Sequence, residues 1–247
     1  MVYQKTRSVL RSRGLAPHKR LGQNFLVHRH TAERIVDLAG PGPADVIVEV
    51  GVGLGALTNL IASRAGRVIG VEADAGLVRW HQEEHDLAAN VALLHRDILK
   101  IDPAELADMA GGPLKIIANL PYSISTPFLF RMIDHRTAMD WAVVMLQKEV
   151  AERLLARPGT REYGVPTVLL AGCAAVEPLL RVKPAEFHPR PKVDSMVVRI
   201  SFRPPPDHED LPPFDWDLLK KIVNGCFSRR RKTLLNGLAA SGLGADR

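Results

Sequence analysis

The tetrapeptide Asn119-Leu-Pro-Tyr122 follows the apolar run Leu114-Lys-Ile-Ile-Ala118. Its residue types suit one kind of chemistry. An exocyclic amine on a heteroaromatic ring, such as N6 of adenine, is a poor nucleophile because its lone pair is delocalised into the ring. Two acceptors placed on its N–H bonds localise that pair and aim it at an electrophilic methyl group. The Asn119 side-chain oxygen and the Leu120 backbone carbonyl are such acceptors. Pro121 fixes the turn so that the carbonyl points inward, and Tyr122 offers a π-face to a base taken out of its stack. No strong general base is required, because the alkylated amine loses its proton readily. Taken alone, the tetrapeptide also reads as a plain turn at the end of a strand. The glycine turn upstream favours the site.

That turn is Glu49-Val-Gly-Val-Gly-Leu-Gly55. Glycines let the chain turn tightly and approach a ligand closely. Gly51, Gly53 and Ala56 also satisfy the dinucleotide fingerprint, and Glu72 stands at a suitable distance, so a nicotinamide enzyme is a rival at this point. Glu49 just before the first glycine suits the cationic amino group of S-adenosylmethionine, held indirectly. Glu72 can accept both ribose hydroxyls in either class. Asp97 can accept from an adenine amine. Singly, Glu72 and Asp97 are also solvated strand-end acids. Together, at successive strand ends, they mark the edge where α/β proteins bind ligands.

The elements that must position these residues alternate. Strand-like runs cover residues 46–50, 67–72, 91–94, 114–118 and 141–146, and helix-like runs cover 57–64, 75–85, 126–135 and 147–156. Short apolar strands alternating with helices predict an α/β fold with a parallel sheet covered on both faces. With the site residues it is a Rossmann-like, class I S-adenosylmethionine-dependent methyltransferase domain. Residues 195–202 alternate and read as a late strand at an antiparallel edge. Pro204, Pro205, Pro206, Pro212 and Pro213 make residues 203–213 a linker, since no helix or central strand tolerates them. Beyond it, residues 218–240 have helical periodicity and a basic face. The chain thus divides into a methyltransferase domain over 1–202, with a basic arm at 1–20, the linker, and a small helical domain over 214–247, to which the family resemblance given below assigns RNA docking.

Lys and Arg number 33 against 27 Asp and Glu, a net +6. The excess is clustered: residues 1–20 and 220–232 each carry six Lys or Arg and no acid. Two such segments on a mildly acidic body suggest a polyanion partner; solvated, partly disordered ends are the plainer alternative. No apolar run is long enough to span a membrane, and the basic N-terminus lacks the apolar core of a secretory signal. Cys173 and Cys226 have no metal-type spacing and read as reduced thiols of a cytoplasmic protein. His81-Gln-Glu-Glu-His85 fits a zinc-protease pattern, but no further ligand is indicated, so no metal is expected. The run Arg229–Lys232 reads as a phosphate contact rather than a localisation signal. Phe187 also reads as a plain core residue, but its Pro-flanked loop setting favours exposure near a site.

Six motifs carry a resemblance to a known family. They are Lys19-Arg-Leu-Gly-Gln-Asn-Phe-Leu26, Glu49-Val-Gly-Val-Gly-Leu-Gly-Ala-Leu-Thr58, Asn119-Leu-Pro-Tyr-Ser-Ile-Ser-Thr126, Gln147-Lys-Glu-Val-Ala-Glu-Arg153, Phe187-His-Pro-Arg-Pro-Lys-Val-Asp-Ser195 and Arg230-Arg-Lys-Thr-Leu234. In this order, from about residue 15 to 238, the chain resembles the KsgA/RsmA ribosomal RNA adenine dimethyltransferases. The resemblance implies that Asn24 and Leu26 close over the methionine end of S-adenosylmethionine, with Gln23 beside them. Gly51 and Gly53 would pass under it, Glu72 would hold its ribose and Asp97 its adenine amine. Asn119 would bridge cofactor and target base, and Tyr122 and Phe187 would stack the target adenine. The implied substrate is a pair of adjacent adenosines in a hairpin near the 3′ end of small-subunit rRNA, met on a pre-30S particle by a monomeric enzyme. The chain departs from the family pattern at Val52, where proline is usual, and in ending at Arg247, where members continue further. An Erm-type methyltransferase of large-subunit rRNA shares the fold and a similar tetrapeptide, but residues 147–164 resemble the small-subunit branch more. A ribosome-assembly factor with incidental methylation is the alternative from another class.

Overall fold

The computed structural model describes Leu10, residues 22–202, 214–228 and 232–240, and Gly242. Apart from Leu10, the basic arm lies outside the described residues, as do the proline-rich linker and Arg229–Arg231.

Strands β2 (Val46–Val50), β3 (Arg67–Glu72), β4 (Val91–His95), β5 (Leu114–Asn119) and β6 (Met139–Gln147) are parallel, as the apolar runs predict. They lie in one seven-stranded sheet of order β4-β3-β2-β5-β6-β9-β7, completed by β7 (Ala175–Val182) and β9 (Ser195–Ser201). A separate two-stranded ribbon pairs β1 (Phe25–Leu26) with β8 (Phe187–His188).

Successive residues of a strand face opposite sides. Val48, Ile116, Ala118 and Val144 therefore join one core layer, with α5 (Ser125–Asp134) and α7 (Val165–Ala171) over it. Ile47, Ile117, Val143 and Val197 join the other, under α1 (Arg29–Ala39) and α2 (Thr58–Ala62). Burying each such side chain contributes roughly 1.5–3 kcal/mol. Helix α3 (Ala75–Glu84) starts at Asp74, whose carboxylate accepts from the Gly76 and Leu77 N–H groups. Among the described residues the other α-helices are α4 (Pro103–Ala110), α6 (Lys148–Leu154), α8 (Trp216–Ser228) and α9 (Leu234–Ala240).

Three sequence expectations change. The late strand β9 is antiparallel, but it lies between β6 and β7 and is not an edge. The edge is β7, unread in the sequence because Glu177, Pro178 and Arg181 interrupt its alternation. Its register shifts between Pro178 and Leu180, an irregularity that an edge strand absorbs. The periodic segment 218–240 divides into α8 and α9. Helices α4 and α7 were not anticipated. Val223 of α8 is buried in the same core layer as β5 and β6.

The order of the sheet places the site. Chain direction reverses its progress between β2 and β5, which lie side by side. The crevice at the carboxyl ends of such strands is where α/β proteins bind ligands.

Candidate active site

Four neighbouring strands each deliver one part of the crevice. Asp97 follows β4, Glu72 ends β3, the glycine turn follows β2, and Asn119 ends β5. All the residues expected to hold the cofactor line this one cavity: Gln23, Asn24, Leu26, Gly51, Gly53, Glu72, Asp97 and Asn119. Leu120, Pro121 and Tyr122 line it too. Sequence reasoning missed Phe25, Arg96 and Ile98 among the lining. Ile98, buried directly after Asp97, supplies an apolar flank there, and its place beside a strand-end acid was the signal available.

The carboxylates are pinned by backbone amides. Glu72 Oε2 accepts from Gly53 N at 2.9 Å and Oε1 accepts from Asp74 N at 2.9 Å. Each oxygen keeps a further lone pair for a hydroxyl. Burial raises the Glu72 carboxyl above its ordinary range, and the bonds from Asp74 and Gly53 offset part of the rise. Asp97 Oδ1 accepts from Leu99 N at 3.0 Å, which fixes the side chain and leaves its second oxygen for an incoming amine.

Glu49 is fully buried, and desolvation pushes its carboxyl up to about 8. The charge of Glu72 pushes it further up. Glu49 Oε2 and Thr58 Oγ1 are both buried without a hydrogen-bond partner. Such orphaned atoms are costly to leave unmet. A cationic amino group at this end of the crevice would meet an acid that now lacks a counter-charge. The donor set therefore fits S-adenosylmethionine: an acid for the ammonium, one for the ribose and one for the adenine amine.

Gly51 has φ 78°, and a Cβ there would meet Pro121 Cδ at 3.4 Å. The glycine turn and the tetrapeptide are thus in contact, and Val52, in place of the family's usual proline, is buried between Gly51 and Gly53. Asn119 Nδ2 donates to the Asn24 backbone carbonyl at 3.0 Å. That bond orients the carboxamide and directs Oδ1 away from Asn24, as the acceptor role requires. Gly22, at φ 65°, lies so close to the tetrapeptide that a Cβ would meet Ser123 N at 2.8 Å. Gln23 Nε2 donates to Asp74 Oδ2 at 3.0 Å, so the segment 22–26 is tied at one end to α3 and at the other to β5.

The Tyr122 hydroxyl lies 2.8 Å from Ser195 Oγ, at the start of β9. Burial lifts the phenol above its ordinary pKa and the Ser195 bond lowers it, a net rise that keeps it neutral. The exposure expected of Phe187 from its proline-flanked setting is not what the structure shows. It is 2% exposed, belongs to the core layer with Leu26 and Val182, and does not line the cavity. Its backbone pairs with Leu26, so the ring goes into the core beneath the ribbon instead of out of the loop. Among the described residues one group has metal-ligand spacing, His28, His30 and Glu186, with ligating atoms within 4.8 Å of one another. No helix among the described residues is long and apolar enough to cross a membrane.

A sheet of this order, with an acid-glycine turn, acids at two further strand ends and an Asn-Leu-Pro-Tyr strand end, defines a Rossmann-like methyltransferase that uses S-adenosylmethionine. The family model for ribosomal RNA adenine dimethylase matches residues 14–246. The chain belongs to that family, and its activity is the S-adenosylmethionine-dependent dimethylation of adenine in ribosomal RNA. It is 52% identical over 239 residues to the ribosomal RNA small subunit methyltransferase A of Desulfotalea psychrophila, an alignment covering 97% of this chain and 80% of the relative. Among solved structures it is similar to a dimethyladenosine transferase from Plasmodium falciparum, with a TM-score of 0.71 and 28% identity, covering 89% of this chain and 76% of that one. The 23S rRNA methyltransferase ErmE gives a TM-score of 0.67 and 26% identity, covering 87% and 84%.

Proposed function

We propose that this enzyme methylates N6 of two adjacent adenosines in the 3′-terminal hairpin of small-subunit rRNA, giving N6,N6-dimethyladenosine at each. The observation that carries the reading is the oriented Asn119 carboxamide, tied through its nitrogen to Asn24 at the mouth of the crevice. The identity of 52% to a small-subunit enzyme, against 26% to ErmE, favours the small-subunit branch.

Glu72 holds the ribose hydroxyls, Asp97 the adenine amine and Glu49 the ammonium end of S-adenosylmethionine, with Gln23, Asn24 and Leu26 closing over it and Gly51 and Gly53 beneath. When bound, the cofactor supplies a methyl group on an electron-poor sulfonium. Asn119 Oδ1 and the Leu120 carbonyl accept the two N–H bonds of the target amine and turn its lone pair toward that methyl. Pro121 holds the Leu120 carbonyl in place. Tyr122 stacks on the extruded base, its ring angle set by the bond to Ser195. With that methyl donor bound, the amine held by Asn119 and Leu120 would take up the methyl group and give its proton to water. The same residues serve the second transfer, because a monomethylated amine still has one N–H for one acceptor. The basic arm and Arg229–Lys232 contact phosphates, residues 214–247 form an RNA-docking unit, and the monomeric enzyme meets its substrate as a cytoplasmic pre-30S particle.

Mass spectrometry of nucleosides from unmethylated small subunits incubated with enzyme and cofactor tests this. Dimethyladenosine at two neighbouring positions is expected. A monomethyl end product, or methylation confined to large-subunit RNA, would overturn it.

A further inference from the structure

The histidine pair that mimics a zinc-protease motif has another use. His81, on α3, does not line the crevice, yet its side chain is fully buried. Its Nδ1 lies 2.8 Å from Asp86 Oδ1 and its Nε2 lies 3.0 Å from the Gly53 carbonyl oxygen. A carboxylate and a peptide carbonyl only accept. Both ring nitrogens thus face acceptors, and neither is turned toward a metal. The ring rests against the glycine turn: a Cβ on Gly55 would meet His81 Cε1 at 3.3 Å. Trp80 covers it at a centroid distance of 4.5 Å.

Gly53 is thereby held from both sides. Its N–H donates to Glu72 Oε2 at 2.9 Å, and its carbonyl accepts from His81. With φ 59° it sits in a region that only glycine adopts freely, so the turn has no side chain of its own to define it. We propose that His81, anchored by Asp86, is a positioning residue that sets the Gly53 peptide, and through it the Glu72 carboxylate, for S-adenosylmethionine. The proposal rests on the reading that Gly51–Gly53 passes beneath the cofactor. Groups pre-set in this way spare the bound state the cost of ordering them.

Two substitutions separate the bonds. In His81→Asn the amide nitrogen takes the place of Nδ1 and no donor reaches Gly53. In His81→Gln the amide nitrogen takes the place of Nε2 and the donor to Gly53 is kept. Calorimetric binding of S-adenosylmethionine and steady-state kinetics on small subunits are the measurements. His81→Asn is expected to raise Kd and KM for the cofactor about tenfold, the scale of one lost hydrogen bond. kcat at saturating cofactor and KM for the subunit should be unchanged, and His81→Gln should recover most of the affinity. Asp86→Asn, which leaves the ring in place, should weaken binding about threefold and serves if His81→Asn fails to fold. Wild-type affinity in His81→Asn, equal losses in the Asn and Gln variants, or an unaffected Asp86→Asn variant would overturn the proposal. If Glu72→Ala also leaves cofactor affinity untouched, the underlying reading of the crevice has failed instead.

Discussion

The two halves of the crevice are built differently. On the cofactor side, Glu72 and Asp97 take their bonds from amides within 2 to 19 residues, in turns that directly follow their own or a neighbouring strand. On the target side, the fixing contacts join distant segments: Asn119 to Asn24 across 95 residues and Tyr122 to Ser195 across 73. The two acids of the first half are set by the sheet itself, while Gln23 reaches in from afar, to Asp74 across 51 residues. The second exists only once the ribbon and the late strand β9 have docked. Damage to the cofactor half should fall on binding, and damage to the target half on rate and RNA engagement.

The largest expected effect is from Asn119→Ala. Removing one preorganised group that acts as charge develops should lower kcat by about 10²–10³-fold. Circular dichroism should show a folded protein, and cofactor affinity should fall by less. A rate loss matched by an equal affinity loss would erase the contrast between the halves. Glu72→Ala should weaken cofactor binding by roughly 1.5–3 kcal/mol, the scale of hydrogen bonds to a charged group, as read by calorimetry.

Tyr122→Ala should lose stacking worth roughly 1–3 kcal/mol, seen in KM for the subunit, while Tyr122→Phe loses little. Equal damage from both would mean that the phenol works as an acid or base.

A smaller effect concerns pH. Burial raises Glu49 to about 8 from 4.5, so the folded protein holds a proton that the unfolded chain has released. Stability from this group is present below pH 4.5 and is lost as pH rises toward 8. A cationic ligand pulls the other way and expels that proton. Cofactor affinity should therefore rise with pH up to about 8, with proton release visible as buffer-dependent binding enthalpy. Glu49→Gln should flatten both trends. The smallest and least local effect is from charge reversal in residues 1–20 and 229–232. It should weaken binding of all RNA sequences and flatten the salt slope.

The residues that line one wall of the crevice were legible in the sequence, because strand-end acids and glycine turns are short-range signals. The β2 and β3 bounds read from apolar runs coincide with the structure. The burial of Phe187 was not legible for the opposite reason: it depends on pairing with Leu26, 161 residues away by number, and a proline-flanked loop carries no trace of that. Strand β7 escaped because an edge strand tolerates polar residues and a proline, which blur its period. His81 showed only a match to a zinc-protease pattern, since spacing on a helix does not reveal that the ring is used up beneath a turn.

The register of β5 also has a consequence for which lengths of chain evolution can accept. Asn119 pairs with Met145, while Ile117 and Ala118 point into opposite core layers. The strand thus works as a ruler that meters out the position of the reactive amide. One residue inserted between Lys115 and Ala118 would carry Asn119 to the far side of the sheet and exchange the two core layers along the way. The register shift between Leu114 and Lys115 is where an extra residue can be swallowed without moving the far end. Length changes in this enzyme's relatives should therefore gather before Lys115 and be absent from the four residues that lead to the tetrapeptide.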